Sequence, residues 1–309
     1  MHLIIPFAAP LSEAGRAAAK DLSLPQLGAL LATLADAGRD EGDEWSLSTP
    51  HERALAKSWA WTGTDGHWPL AARLAAADGV DVGQAAWGLL TPVHWHLGTE
   101  QISLVDPAGL MLDEASSRAF FDAMRELFES DGYQVAYGCA SRWYLSHHSL
   151  ADLPCASLDR VIGRNVDRWL GNDPVVRRVR RLQSEVQMQL YTHPLNEKRQ
   201  AQGLLPVNSF WLSGCGRPQA PGGADVRVED RLRHSALNDD WAAWCKAWDS
   251  LDAGPVAEAL ALARAGQTMR LTLCGERSSQ SWAWQPQSFI QRWRSRWSGP
   301  DWRPILESL

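Results

Sequence analysis

Between His193 and Gly216 the chain reads HPLNEKRQAQGLLPVNSFWLSGCG, and this run packs two asparagines, two basic side chains, an apolar run and a Gly-x-Gly into one short passage. The amides of Asn196 and Asn208 and the guanidinium of Arg199 are donors that can orient and neutralise an anion. Gly214 and Gly216 can free backbone N–H groups to cradle negative charge. The spacing predicts a helix end, a loop turning at Gly203 and Pro206, a short strand through Phe210 to Leu212, and a glycine turn opening on Gly214. Asn196, Arg199 and Asn208 would then sit near a strand end, where sheet proteins commonly bind ligands. The same residues also suit a purely architectural role: Asn196 capping a turn, Asn208 bonding loop backbone, and the glycines supplying positive φ.

Elsewhere the chemistry-bearing types are more scattered. Arg142, flanked by aromatics in SRWYL, can clamp an anion if it faces a cleft, or pair with a carboxylate. His94 and His96 stand at i and i+2 on an expected strand, a spacing that can hold zinc, with no third ligand nearby. With Asp106 and Asp113 they are the candidates for a metal-dependent site, while Asp113 equally caps the following helix. Arg177, Arg178, Arg180 and Arg181 read as a solvated helix face with an Arg181 to Glu185 pair. Trp282, Trp284, Trp293, Trp297 and Trp302 gather among Arg292, Arg294, Arg296 and Arg303; this end suits a protein partner, with base stacking the sharper alternative.

The stretch from 193 to 216 resembles the signature of archaeal-type, cofactor-independent phosphoglycerate mutases, relatives of alkaline phosphatase. The match runs through His193, Pro194, Asn196, Arg199, Gly203, Pro206, Asn208, Ser209, Trp211, Gly214 and Gly216. A closer resemblance, from about Pro92 through PVHWHLGTEQISLVDP, DGYQVAYGCASRWYL and IGRNVDRWL to Gly216, is to bacterial RpfE-type regulatory proteins, which are phosphoglycerate mutase-like. The resemblance implies an α/β scaffold whose sheet is flanked by helices, reduced or degenerate relative to the enzymes. It also implies an Asp-Gly at the end of the first strand, a Ser or Thr nucleophile soon after it, and late Asp and His residues holding two metals. Here the first strand runs LIIPFAAP, with no acid before Glu13. Ser12, Ser23 and Thr33 are the only hydroxyls near the nucleophile position, and His234 is the only histidine after His193. Proline and alanine offer a hard cation no side-chain oxygen. Ser213 and Cys215 also depart from the family pattern.

The expectation is a protein without a metal or other cofactor and without catalytic residues. Its anionic or phosphorylated ligand would be held by Asn196, Arg199, Asn208, Gly214, Gly216 and Arg142, and its role would be regulatory. The alternative is an active metal-dependent mutase or phosphatase with rearranged ligands. A net charge of −6 with 21% charged residues points away from nucleic acid. An odd five cysteines without C-x-x-C spacing read as free thiols in a reducing cytoplasm, and no apolar run approaches a membrane span.

Positioning these groups requires the following elements. Leu3 to Phe7 forms a buried strand. Ser23 caps a helix bearing Leu27, Leu30, Leu31 and Leu34 that stops at Gly38, and a charged loop follows to Glu44. Helices span Thr49 to Trp61 and Leu70 to Ala77. Val93 to Leu97 pairs with QISLVD. Two amphipathic helices carry Phe120, Phe121, Met124, Leu127 and Phe128, and Val175, Val179, Leu182, Val186 and Leu190, and Met269 to Leu273 closes the sheet. The chain divides into an N-terminal part of the scaffold (1–90), the motif region (91–216) and a C-terminal part completing the scaffold (217–309), all compatible with one compact unit.

Overall fold

The computed structural model describes residues 1–99, 101–171, 173–220, 222–223, 225–285 and 301–309. The protein is mixed α/β and falls into two compact units, one of residues 1–61 with 221–309 and one of residues 62–220. These boundaries differ from a division at 90 and 216, because Leu70–Ala77 packs on strands of the second unit.

In the first unit, five strands form one sheet in the order β2-β11-β10-β1-β9: β1 (His2–Ile5), β2 (Leu34–Glu41), β9 (Val226–Val228), β10 (Arg270–Cys274) and β11 (Ser278–Trp284). β1 runs parallel to β9 and β10, while β10, β11 and β2 are antiparallel. The register puts Leu3, Ile5, Leu271, Leu273 and Trp282 on one face. There they join the core of α2 (Pro25–Leu31), α10 (Trp241–Leu251) and α11 (Ala257–Arg264). The opposite face carries His2, Ile4, Thr272, Cys274, Ser279 and Ser281 and meets α3 (Pro50–Ser58) through Ala54. Helices α1 (Glu13–Lys20), α9 (Arg233–Leu237) and α12 (Arg303–Ser308) complete the unit.

Local chemistry sets several of these ends. Ser12 caps α1, and Thr49 and Glu52 form a capping box on α3. Helix α2 has no side-chain cap of its own; Asp252 supplies one from a distance, accepting from Gln26 N at 3.1 Å and Leu27 N at 2.8 Å. Asp252 opens a π-helical turn, Asp252–Val256, between α10 and α11; Pro255, which lacks an N–H, falls inside it. Two sequence expectations change here. Ser23 is not the cap of α2, and Leu34 does not continue that helix: it starts β2, which takes up most of the expected charged loop and pairs with β11.

In the second unit, β6 (Gln134–Cys139), β7 (Arg142–Ser146), β3 (Trp87–Val93) and β8 (Ser209–Gly216) form an antiparallel sheet in that order, with β4 (Trp95–Leu97) and β5 (Ile102–Leu104) as a separate hairpin. Helix α4 (Leu70–Ala77) lies against β3 and β8, and α5 (Glu114–Ser130) and α7 (Pro174–Tyr191) cover the core built on Trp143, Phe120, Phe210 and Val186. α6 (Leu158–Val161) and α8 (Pro194–Ala201) connect these layers. Asp113 caps α5, and the arginine run of α7 is partly committed: Arg178 and Arg181 both pair with Asp131, and Arg181 also reaches Glu185 at 3.5 Å.

No helix among the described residues is long and apolar enough to cross a membrane. Trp293, Trp297, Arg292, Arg294 and Arg296 lie outside the described residues, whereas Trp282 and Trp302 are buried in the first core. All five cysteines are free thiols. If the remote cap holds α2 in place, Asp252→Ala lowers stability by about 2 kcal/mol in urea unfolding, since two helix N–H groups lose their acceptor.

Candidate functional site

Helix α8 begins at Pro194, whose fixed φ suits the first helical position, with the His193 side chain accepting from Leu195 N. One turn in, Asn196 points inward and is only 3% exposed. Its Nδ2 donates to Leu190 O at 2.9 Å and Val207 O at 2.7 Å, and its Oδ1 accepts from Val207 N at 2.9 Å. Arg199, on the same helix face and 4% exposed, donates through Nε to Leu205 O at 2.9 Å and through Nη2 to Leu110 O. Burial holds its pKa below the usual arginine range. Asn208 trades a pair of bonds with Trp95, accepting its N–H at 2.7 Å and donating to its C=O at 2.9 Å, while His94 Nδ1 donates to Pro206 O at 2.9 Å. The signature side chains thus fasten the loop after α8 to α7, to β4 and to the turn at Leu110.

Gly214 and Gly216 lie inside β8 instead of forming a turn, and their strand continues its ladder with β3 across a bulge. Gly214 has φ +62°, and a Cβ there would stand 2.9 Å from Ala71 N. Its role is to let α4 approach the sheet.

Arg142 opens β7 and makes a forked pair with Asp78 at the end of α4, Nε to Oδ2 at 2.8 Å and Nη2 to Oδ1 at 2.6 Å. Tyr144 Oη donates to the same Oδ2 at 2.6 Å. Gly138 leaves the room for this cluster, because a Cβ there would meet Asp78 Oδ2 at 2.5 Å. The Arg142 hydrogen bonds hold the Asp78 carboxyl below the usual carboxylate range against a smaller opposing effect of burial. Burial, with Asp78 adding to it, pushes the Tyr144 phenol up.

The six expected ligand-binding residues therefore do not converge. Asn208 and Gly214 are set roughly 20 Å apart by the length of β8 at about 3.3 Å per residue. Arg142 is engaged with Asp78, and Asn196 and Arg199 are spent on backbone groups. The histidine pair also separates, because the strand breaks between them: His94 falls between β3 and β4, and His96 is exposed on β4 opposite Ser103. Asp106 and Asp113 serve as caps for a short 3-10 turn and for α5. Among the described residues no group of three His, Cys, Asp or Glu is arranged to hold a metal.

Where the resemblance implies an Asp-Gly after the first strand, the chain places Pro6 and Phe7. Phe7 keeps a left-handed φ of +56°, the conformation a glycine adopts freely. Its carbonyl accepts from Trp244 Nε1 at 3.0 Å, Ala8 N donates to Cys274 O at 2.8 Å, and Ala8 and Ala9 are buried. Apolar packing fills the position, and Pro6, Phe7, Ala8 and Ala9 offer a metal no side-chain oxygen.

A polar cluster that no spacing in the sequence announces lies on the α3 side of the first unit's sheet. Ser58 Oγ donates to Ala54 O at 2.6 Å, so its contact with His2 Nδ1 at 2.8 Å requires the imidazole to carry its proton on Nδ1. His2 Nε2 must then accept from Thr272 Oγ1 at 2.7 Å, and Thr272 in turn accepts from Ser281 Oγ at 2.8 Å. Burial first, then Arg270 and the N-terminal amine, lower the His2 pKa to about 4, so the ring is neutral near pH 7.

No family model matches the chain, and no curated protein matches it. Among solved structures it is similar to a cofactor-independent phosphoglycerate mutase from Thermoplasma acidophilum DSM 1728, at 13% identity and a TM-score of 0.39, over 93% of this chain and 90% of that one. It is also similar to the PH0037 protein from Pyrococcus horikoshii, at 11% identity and a TM-score of 0.42, over 91% of this chain and 86% of that one.

The two clusters of the second unit lead to separate expectations. Asn196→Ala should cost about 2–4 kcal/mol in denaturant unfolding, because Val207 N–H and two carbonyls are left buried without partners; a change below 0.5 kcal/mol would refute the fastening role. For Asp78, a folded-state pKa below the unfolded value gives stabilisation that is present above about pH 4 and lost as pH falls through the folded value. Asp78→Asn should cost about 1 kcal/mol at pH 7, discounted for the solvent that reaches Arg142. Its gap from the parent protein should close as pH drops below about 4.

Proposed function

We propose that this is a phosphoglycerate-mutase-like scaffold that works by binding, a regulatory protein of the RpfE type its sequence resembles, and that it does not carry out metal-dependent phosphoryl transfer. The observation that carries the reading is the end of β1. A carboxylate ligand for a catalytic cation would need to stand there, and the place is taken by Pro6 and Phe7, with Ala8 and Ala9 packed into the core and Trp244 bonded to the Phe7 carbonyl.

The signature between His193 and Gly216 supports the same reading. Asn196, Arg199 and Asn208 serve the backbone around them, so retaining them keeps the architecture whether or not any chemistry is retained. On this reading the resemblance over that stretch reports a shared framework, and the ligand is held by other residues.

The test is direct. Full-length protein purified with manganese or zinc in the medium should carry far less than one metal per chain. It should neither interconvert phosphoglycerates nor hydrolyse an aryl phosphate above the buffer rate. Metal-dependent turnover that survives repurification and falls on substitution of Asp106 or His96 would replace this reading with the enzymatic one.

A further inference from the structure

On the α3 side of the sheet in the first unit, a shallow cleft is lined by His2, Arg53, Lys57, Ser58, Arg270, Thr272 and other residues of β2 and β11. The sheet face under it is polar where a helix-covered face is ordinarily apolar. Thr272 and Ser279 are fully or nearly fully buried, and burial keeps the His2 imidazole neutral.

The charges around the cleft do not balance. Arg53 is neutralised by Asp40 at 2.6 Å and also donates to Ser48 O and Arg277 O. Arg39 lines the rim, but its guanidinium is directed to Ser278, Ser308 and Glu41. Asp40 is the only carboxylate in the lining, and Arg53 occupies it. That leaves Lys57 and Arg270. Among the described residues neither makes an ion pair, and Nε of Arg270 is buried with no acceptor. A buried guanidinium nitrogen without an acceptor costs free energy that a bound anion would offset. The imidazole beside it, held neutral, supplies no negative counter-charge.

We propose that the cleft between α3 and the polar face of β1, β10, β11 and β2 binds a phosphate-type oxyanion, gripped by Lys57 and Arg270. A guanidinium and an ammonium lining one cleft match an anion that offers acceptors in several directions. The oxyanion is either free phosphate or the phosphoryl end of a small ester. The proposal gives the binding reading above a ligand class and rests on it. The two fail separately, because metal-dependent turnover would remove the first without bearing on whether this cleft takes phosphate.

The experiment is calorimetric titration of the full chain with inorganic phosphate and, in parallel, glycerol phosphate at low ionic strength, with chloride at matched ionic strength as control. Saturable binding is expected, weakened about tenfold or more by Lys57→Glu and by Arg270→Gln. Lys198→Glu, an exposed lysine of the second unit, should leave it unchanged. Lys57 is solvent-exposed, so its variant keeps the fold even if Arg270→Gln does not. Tighter binding of the ester assigns the site to a phosphorylated metabolite, and equal binding assigns it to the free ion. Absence of phosphate binding, or binding that Lys57→Glu leaves intact, overturns the proposal.

Discussion

A backbone amide or carbonyl taken out of water must find another partner. In the second unit the chain from Gln202 to Asn208 runs inward from the end of α8 to the start of β8 without regular structure of its own. Side chains stand in for the missing ladder: Asn196 answers Val207 on both sides, Arg199 takes the Leu205 and Leu110 carbonyls, and Asn208 mimics a strand neighbour for Trp95. In the first unit Asp252 does the same for the open end of α2, far away in sequence. Each case uses a side chain whose donors or acceptors match the backbone in number and direction, which is why asparagine and arginine recur at such places.

That constraint also explains what could be read from the sequence. Elements whose partners are local were legible: α5 and α7 followed from the 3.6-residue spacing of their apolar positions, and helices were expected over Thr49 to Trp61 and Leu70 to Ala77, where α3 and α4 lie. Elements fixed by distant partners were not. Leu34 fits the apolar stripe of the preceding helix as well as it fits a strand, and only β11, more than two hundred residues later, decides for the strand. Gly214 and Gly216 look like a turn in one dimension. The need for glycine there comes from α4 pressing on β8, which no local pattern encodes. The mixed α/β class was within reach of the sequence, whereas the convergence of the six chosen residues was not, because strand length and register determine which side chains can meet.

The same logic separates framework from chemistry. A motif that satisfies backbone groups is kept by any chain that keeps the loop, so its presence is weak testimony about catalysis. Positions that serve only the reaction carry no such obligation and are free to be refilled. At the end of β1, Phe7 takes a left-handed turn, and the apolar side chains around it belong to the core that holds Trp244.

A buried polar face is costly unless every group on it is satisfied, and a chain that needed only stability would have covered β1, β10 and β11 beneath α3 with aliphatic residues, as it did on the other side. Instead it keeps a histidine, a threonine and serines whose protons run in one direction from Ser281 to the Ala54 carbonyl. Within that network one charged side chain, Arg270, is left without an acceptor for its buried nitrogen. On the proposed reading, the satisfied neighbours hold that face in place, so an anion entering the cleft has little left to order.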